Sequence, residues 1–258
     1  MGKLLSDEQV RAYHRDGYLS PIAVLTPAEA VHFLGRFQAY EKQQANRGGR
    51  DYDDDEGREF LRQPHRRARW AYELVTHPRV LDAVEDILGP DVMVWDAKLF
   101  PKPPYSLSYV GWHQDGTYST AQPREHKVTA WIALTNATPE NGAMRVIPGS
   151  HTWGQLEHVQ AKDDHNLLRY GQSISTQLDE SAAVGLSIPA GQMSVHHNML
   201  VHGSPPNPSP TSRIGLSINY ISPDVVDKPD PNRRVILARG RDRFGHFELF
   251  DGPVDDVT

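Results

Sequence analysis

Between residues 91 and 221 the chain breaks into short runs rich in β-branched, aromatic and alternating residues. They cover 91–100, 105–115, 127–135, 142–148, 181–188, 193–197 and 213–221, each closed by proline, glycine, asparagine or serine. So many short strands at this spacing cannot each find a buried partner in one small flat sheet. They predict a mainly β core, a sandwich or closed barrel, with helices packed outside it.

The helices come first in the chain. Ser6 followed three residues later by Gln9 is a capping-box pattern, and the segment to Asp16 is stopped by Gly17. Thr26, with Pro27 at the first helical position and Glu29 at the third, opens a second helix reaching about Gln44. Helical patterning resumes over 66–75 and again from Pro78 to Leu88, before Gly89-Pro90. Residues 45–57 have little to bury and several acids that repel one another, which predicts a loop. Asp53-Asp54-Asp55 lacks the alternating oxygen ligands and following glutamate of a calcium loop.

A length of 258 residues with 38% hydrophobic content suffices for one sizeable core, and no repeat or linker divides it. The expected parse is therefore one domain: a helical flank over 1–90, a β core over 91–222 and an extension over 223–258. The formal net charge of -6 repels phosphate backbones and anionic membranes at long range, which leaves a small molecule as the expected partner. No signal-like segment opens the chain and no stretch of about 18 apolar residues occurs, so a cytoplasmic protein is expected. There is no cysteine, so any metal must sit on nitrogen and oxygen.

Those ligand types occur together in Trp112-His113-Gln114-Asp115. Side chains on a strand alternate faces, so His113 and Asp115 point the same way and can grip one ion, with a third ligand supplied from elsewhere. Two histidines and one carboxylate leave open positions of the kind a ferrous oxygenase needs. In a chain with 13 histidines the pair alone is weak. Further on lie His202-Gly203-Ser204 and, eleven residues past His202, Arg213 at the head of an alternating strand. An inward-facing arginine is costly unless it meets an anion, and its planar fork matches a carboxylate.

Five stretches in register then make a resemblance: Lys102-Pro103-Pro104, Trp112-His113-Gln114-Asp115, Ala130-Trp131-Ile132-Ala133-Leu134, Asn141-Gly142-Ala143-Met144-Arg145-Val146-Ile147-Pro148-Gly149-Ser150-His151, and His202-Gly203-Ser204 with Arg213. The chain resembles the phytanoyl-CoA dioxygenase family of iron(II)- and 2-oxoglutarate-dependent oxygenases. The resemblance implies a double-stranded β-helix, a jelly-roll barrel of the cupin type. It further implies iron on His113, Asp115 and His202, and 2-oxoglutarate and O2 as co-substrates, with Arg213 pairing the distal carboxylate of the oxo acid. Trp131, Ser204 and Lys98 match positions lining the co-substrate pocket. The implied reaction is oxidation, chiefly hydroxylation, of a C–H bond of a small metabolite, with succinate and CO2 formed. Related halogenases lack the carboxylate of this motif, so Asp115 favours hydroxylation.

Plainer readings stand beside these. Arg213 could close an internal ion pair, and Trp131 could be a core aromatic. Asn141-Gly142 and Pro148-Gly149-Ser150 are turn chemistry, which His151 would secure. His196 and His197 fall on a strand near the third ligand, as structural residues or as substrate contacts. His126, His158 and His165 read as surface histidines. Arg62, Arg66, Arg67 and Arg69 read as a solvated helix face, or as a source of one cation over the barrel mouth. Either 45–57 or 157–172 could supply a lid. The competing functions are a non-catalytic cupin-like binder and a zinc hydrolase using the same three ligands.

Overall fold

The computed structural model describes residues 2–46, 59–160, 163, 165–168, 171–228 and 234–253. Its first helix, α1 (Asp7–Asp16), begins with the reciprocal Ser6–Gln9 capping box and ends at Gly17, whose φ of 81° favours a residue without Cβ. Helix α2 (Pro27–Asn46) starts where Thr26 and Glu29 bond each other, and α3 (Arg69–Val75) and α4 (Pro78–Leu88) complete the helical layer. The loop expected over 45–57 falls almost wholly outside the described residues. Its first two positions close α2.

Thirteen strands are described: β1 (Tyr18–Ala23), β2 (Val92–Leu99), β3 (Val110–His113), β4 (Lys127–Ala133), β5 (Arg145–Val146), β6 (His158–Gln160), β7 (Gln172–Ile174), β8 (Val184–Gly185), β9 (Gln192–His197), β10 (His202–Ser204), β11 (Gly215–Ile221), β12 (Arg234–Arg239) and β13 (Glu248–Leu249). They form a seven-stranded sheet, β1-β9-β4-β11-β2-β12-β13, a four-stranded sheet, β3-β10-β5-β8, and the separate ribbon β6-β7. This is the mainly β, jelly-roll arrangement with flanking helices. The two large sheets are not hydrogen-bonded into one closed barrel; a cavity lies between them instead.

Strand alternation explains which face does what. On β11, Leu216, Ile218 and Tyr220 join the core under the helices with Phe37, Trp70, Leu74 and Val84, and the Tyr220 hydroxyl donates to the Val75 carbonyl at 2.7 Å. The intervening Ser217 and Asn219 line the cavity. Strand β4 does the same, with Val128, Ala130 and Ile132 in the core and Trp131 at the cavity. On β2 the pairing skips Trp95, so Asp96 and Lys98 face the cavity while Val94 returns to the core.

Several expected strands are shorter. The run 105–115 contracts to β3, because Tyr105 takes a φ of 57° and Asp115 begins a 3-10 turn, Asp115–Tyr118. The runs 142–148 and 181–188 contract to two-residue strands. Strand β1 carries Pro21, which hides it from a period-two reading; as an edge strand it can spare that amide. Among the described residues no helix is long and apolar enough to cross a membrane.

Candidate active site

His113 at the end of β3 and His202 at the start of β10 are directly opposite one another across an antiparallel ladder. Both are buried, their ring centroids 4.1 Å apart. Each aims Nδ1 at a carbonyl two residues earlier, His113 at Gly111 (2.9 Å) and His202 at Leu200 (3.0 Å). A carbonyl only accepts, so each Nδ1 carries a proton and each Nε2 is the ring atom turned toward Asp115. Asp115 Oδ1 lies 3.3 Å from His113 Nε2 and 3.7 Å from His202 Nε2, and the three residues can offer ligand atoms within 4.8 Å of one another. The expected pairing of His113 and Asp115 holds, although the carboxylate is presented by the 3-10 turn and not by strand alternation.

Burial opposes ionisation of Asp115, but His202, His113 and His196 outweigh it and hold its carboxyl well below the usual range. Burial and the neighbouring His113 hold His202 well below the usual histidine range. Two imidazole Nε2 atoms and a carboxylate oxygen thus converge on one point, where a cation would replace the histidine protons as partner of the carboxylate. The donor set fits ferrous iron with open positions.

The other oxygen of Asp115 is also held. Thr129 donates to Oδ2 at 2.7 Å, and His196 Nε2 stands 3.3 Å from it, with Nδ1 buried and without a partner. Thr129 and His196 are register partners on β4 and β9, which explains why both reach the same oxygen. Sequence reasoning left His196 open and passed over Thr129. His158, read as a surface residue, is half-buried and accepts the Gln114 amide at 3.1 Å, so it braces the loop between the two ligands. The ribbon β6-β7 that carries it begins within the stretch 157–172 that could supply a lid.

A cavity of about 610 Å3 opens beside these residues, lined by His113, Asp115 and His202 together with Trp131, Ser204, Lys98 and Arg213. Arg213 is 3% exposed and meets no acid among the described residues. Its Nη1 donates to the Phe100 carbonyl and its Nη2 to Ser204 Oγ, both at 3.3 Å, while Nε has no partner. Burial pushes it down to about 9, which leaves the cation charged at neutral pH. No internal ion pair forms among the described residues, and the guanidinium retains unused donors beside a cavity. Trp131 lies 5.4 Å from the guanidinium carbon. Lys98 reaches across to the Leu167 carbonyl at 2.7 Å. Of the arginine cluster, Arg62 and Arg66 line the cavity, Arg62 in a pair with Glu59, and Arg67 and Arg69 do not.

Residues 13–215 match the model of the phytanoyl-CoA dioxygenase family. This chain belongs to that family. Human peroxisomal phytanoyl-CoA dioxygenase is 25% identical over 235 residues, spanning 86% of this chain and 70% of the relative. The ectoine dioxygenase of Streptomyces coelicolor is 26% identical, spanning 92% and 86%. Among solved structures, the non-haem monooxygenase ThoJ in its apo form superposes with a TM-score of 0.83 at 36% identity, covering 96% of this chain and 89% of that one. CytC3 with Fe(II) and alpha-ketoglutarate shares the fold, at a TM-score of 0.69 and 20% identity over 97% and 94%. The family assigns the reaction class: this dioxygenase-family enzyme is an iron(II)- and 2-oxoglutarate-dependent oxygenase.

Proposed function

We propose that this family member hydroxylates a C–H bond of a small or medium-sized polar metabolite, with His113, Asp115 and His202 as the iron ligands and Arg213 as the anchor of the oxo acid. The observation that carries the reading is the juxtaposition of two histidine Nε2 atoms and Asp115 Oδ1 with a buried arginine that lacks an acidic partner among the described residues, all on one cavity. A metal site alone would explain the first group and leave the second as an uncompensated cost. A zinc hydrolase has no use for the arginine, and a retired binder has no reason to keep both.

Bound iron would supply the redox chemistry that couples decarboxylation of the oxo acid to oxidation of the substrate. The protein's own residues do the rest. The two carbonyl-bound Nδ1 protons fix the ring tautomers, and Arg213 and Ser204 offer donors to a carboxylate at the blind end. Trp131, Phe100, Leu168 and Met144 give the rest of the cavity its apolar wall. The volume of about 610 Å3 exceeds what a five-carbon diacid fills, which leaves room for a second molecule. We read the chain as one catalytic domain.

Anaerobic addition of iron(II) and 2-oxoglutarate should produce a visible metal-to-ligand charge-transfer band. His113→Ala, Asp115→Ala and His202→Ala should each remove the band and turnover while preserving the far-UV circular dichroism spectrum. A band that survives all three substitutions refutes the ligand set. Succinate release across a panel of polar metabolites then identifies the substrate.

A further inference from the structure

Lys102 is the most deeply buried cation in the chain among the described residues, at 0% exposure, and the proposed function leaves it unused. Its backbone exchanges both hydrogen bonds with Arg213, amide to carbonyl at 2.7 and 2.9 Å. In such a bridge the two side chains leave from the same face, so two basic groups sit opposite one another inside the protein. No carboxylate acts on either side chain among the described residues. Burial, aided by the facing Arg213, pushes the Lys102 ammonium down to about 5, and an anion beside both groups would draw it back up. An amine held in this place takes up its proton when an anion lies beside it, which is what an uncharged side chain tying down the bend could not do.

The hydrogen bonds say where that anion lies. Lys102 Nζ donates to Ser204 Oγ at 2.6 Å, to the Ser204 carbonyl at 3.2 Å and to the Pro205 carbonyl. Three acceptors match the three hydrogens of the ammonium form that a neighbouring anion would restore. Ser204 Oγ also receives Arg213 Nη2 at 3.3 Å. A hydroxyl oxygen has two lone pairs, and with Lys102 in its ammonium form two cationic donors occupy them, so the Ser204 proton is left to point at a third group. Ser204 and Arg213 line the cavity and Lys102 stands behind them.

We propose that Lys102 is a positioning residue for the co-substrate: by holding the Ser204 hydroxyl as an acceptor it turns that hydroxyl into a donor beside Arg213, so that the distal carboxylate of a 2-oxo diacid is recognised by a preset pair. The inference rests on the oxygenase reading and extends it to a residue that touches neither metal nor oxo acid. A role confined to tying Ser204 and Pro205 to the 102–104 bend would change stability without regard to which oxo acid is bound.

The test is an anaerobic titration of the iron(II)-loaded full chain with 2-oxoglutarate and with 2-oxobutyrate, which has no distal carboxylate, read by the charge-transfer band. Lys102→Met should weaken 2-oxoglutarate binding about ten- to a hundredfold, the contribution of one hydrogen bond to a charged group. It should leave binding of 2-oxobutyrate and of iron(II) alone unchanged. In a Ser204→Ala background the same substitution should add little, since the route it acts through is gone. Equal losses for both oxo acids, or full additivity with Ser204→Ala, overturn the proposal while the oxygenase reading stands. A wild-type protein that binds neither acid overturns both. If Lys102→Met does not fold, nitrogen-15 spectra of wild-type lysine Nζ groups, with zinc in place of iron, decide: a shift of a buried Nζ signal with 2-oxoglutarate and not with 2-oxobutyrate supports the role, and its absence overturns it.

Discussion

At the scale of single residues, the two oxygens of Asp115 have different partners. Oδ1 faces the two imidazoles and Oδ2 takes the Thr129 hydroxyl and the His196 ring. A carboxylate held this way can offer one oxygen to an ion without rotating to offer both, and outer partners of this kind typically change metal affinity 10–100-fold. Thr129→Val keeps the shape and removes the proton donor. It should weaken binding of iron(II), or of nickel(II) as a stable probe, by about that factor in isothermal titration. Thr129→Ser should recover most of it; a Val variant that binds metal like wild type would show the hydroxyl to be structural. The sequence motif pointed to His113 and Asp115, yet Thr129 lies in a run of core residues and carries no signal of its own. Its role arises because β4 puts it level with the turn after β3.

Among the elements, β11 shows how tightly the site is set into the sheet. A Cβ placed on Gly215 would come within 2.0 Å of Trp131 Cζ2, so the indole can lie along the cavity wall only because position 215 has no side chain. Gly215→Ala should push Trp131 off that wall and destabilise the fold by about 1–3 kcal/mol, the usual cost of overpacking. Thermal unfolding would register the loss, and Trp131 emission should change in parallel. A variant with unaltered Tm and emission would mean the ring has room to move. The 3-10 turn Asp115–Tyr118 is set by distant contacts in the same way. Period-two reasoning selected the correct pair of residues, but the strand ends at His113, and Asp115 is placed by the buried Gln114 side chain, which bonds Gly154, Met199 and Leu156. Those partners lie 40 or more positions away, beyond the reach of a local pattern.

For the molecule as a whole, the buried His65 and the half-buried His197, both outside the metal site, link stability to acidity. Burial, aided by Arg66 and Arg67, pushes His65 down to about 3, and burial, aided by His151, pushes His197 down to about 4. In the unfolded chain both take up protons below about 6.5, whereas in the fold they resist doing so. Their contribution is therefore complete above about pH 6.5 and is lost progressively as pH falls toward 4 and then 3. The Tm should drop steadily between pH 7 and 4.5, and less steeply in His65→Gln. A flat profile in the wild type would contradict this. The sequence by itself determined the helices up to Leu88, through caps and periodicity, and the mainly β character of the chain beyond Pro90. It also determined the chemistry of the ligands, because those signals are local or depend on residue type alone. Tertiary structure alone decided that the two sheets enclose a cavity without closing into a barrel. It decided too that Thr129 and His196 hold the far oxygen of Asp115, and that Lys102 stands behind Ser204. Each of those contacts joins residues distant in the chain, and register between strands, which no single strand encodes, sets which of them meet.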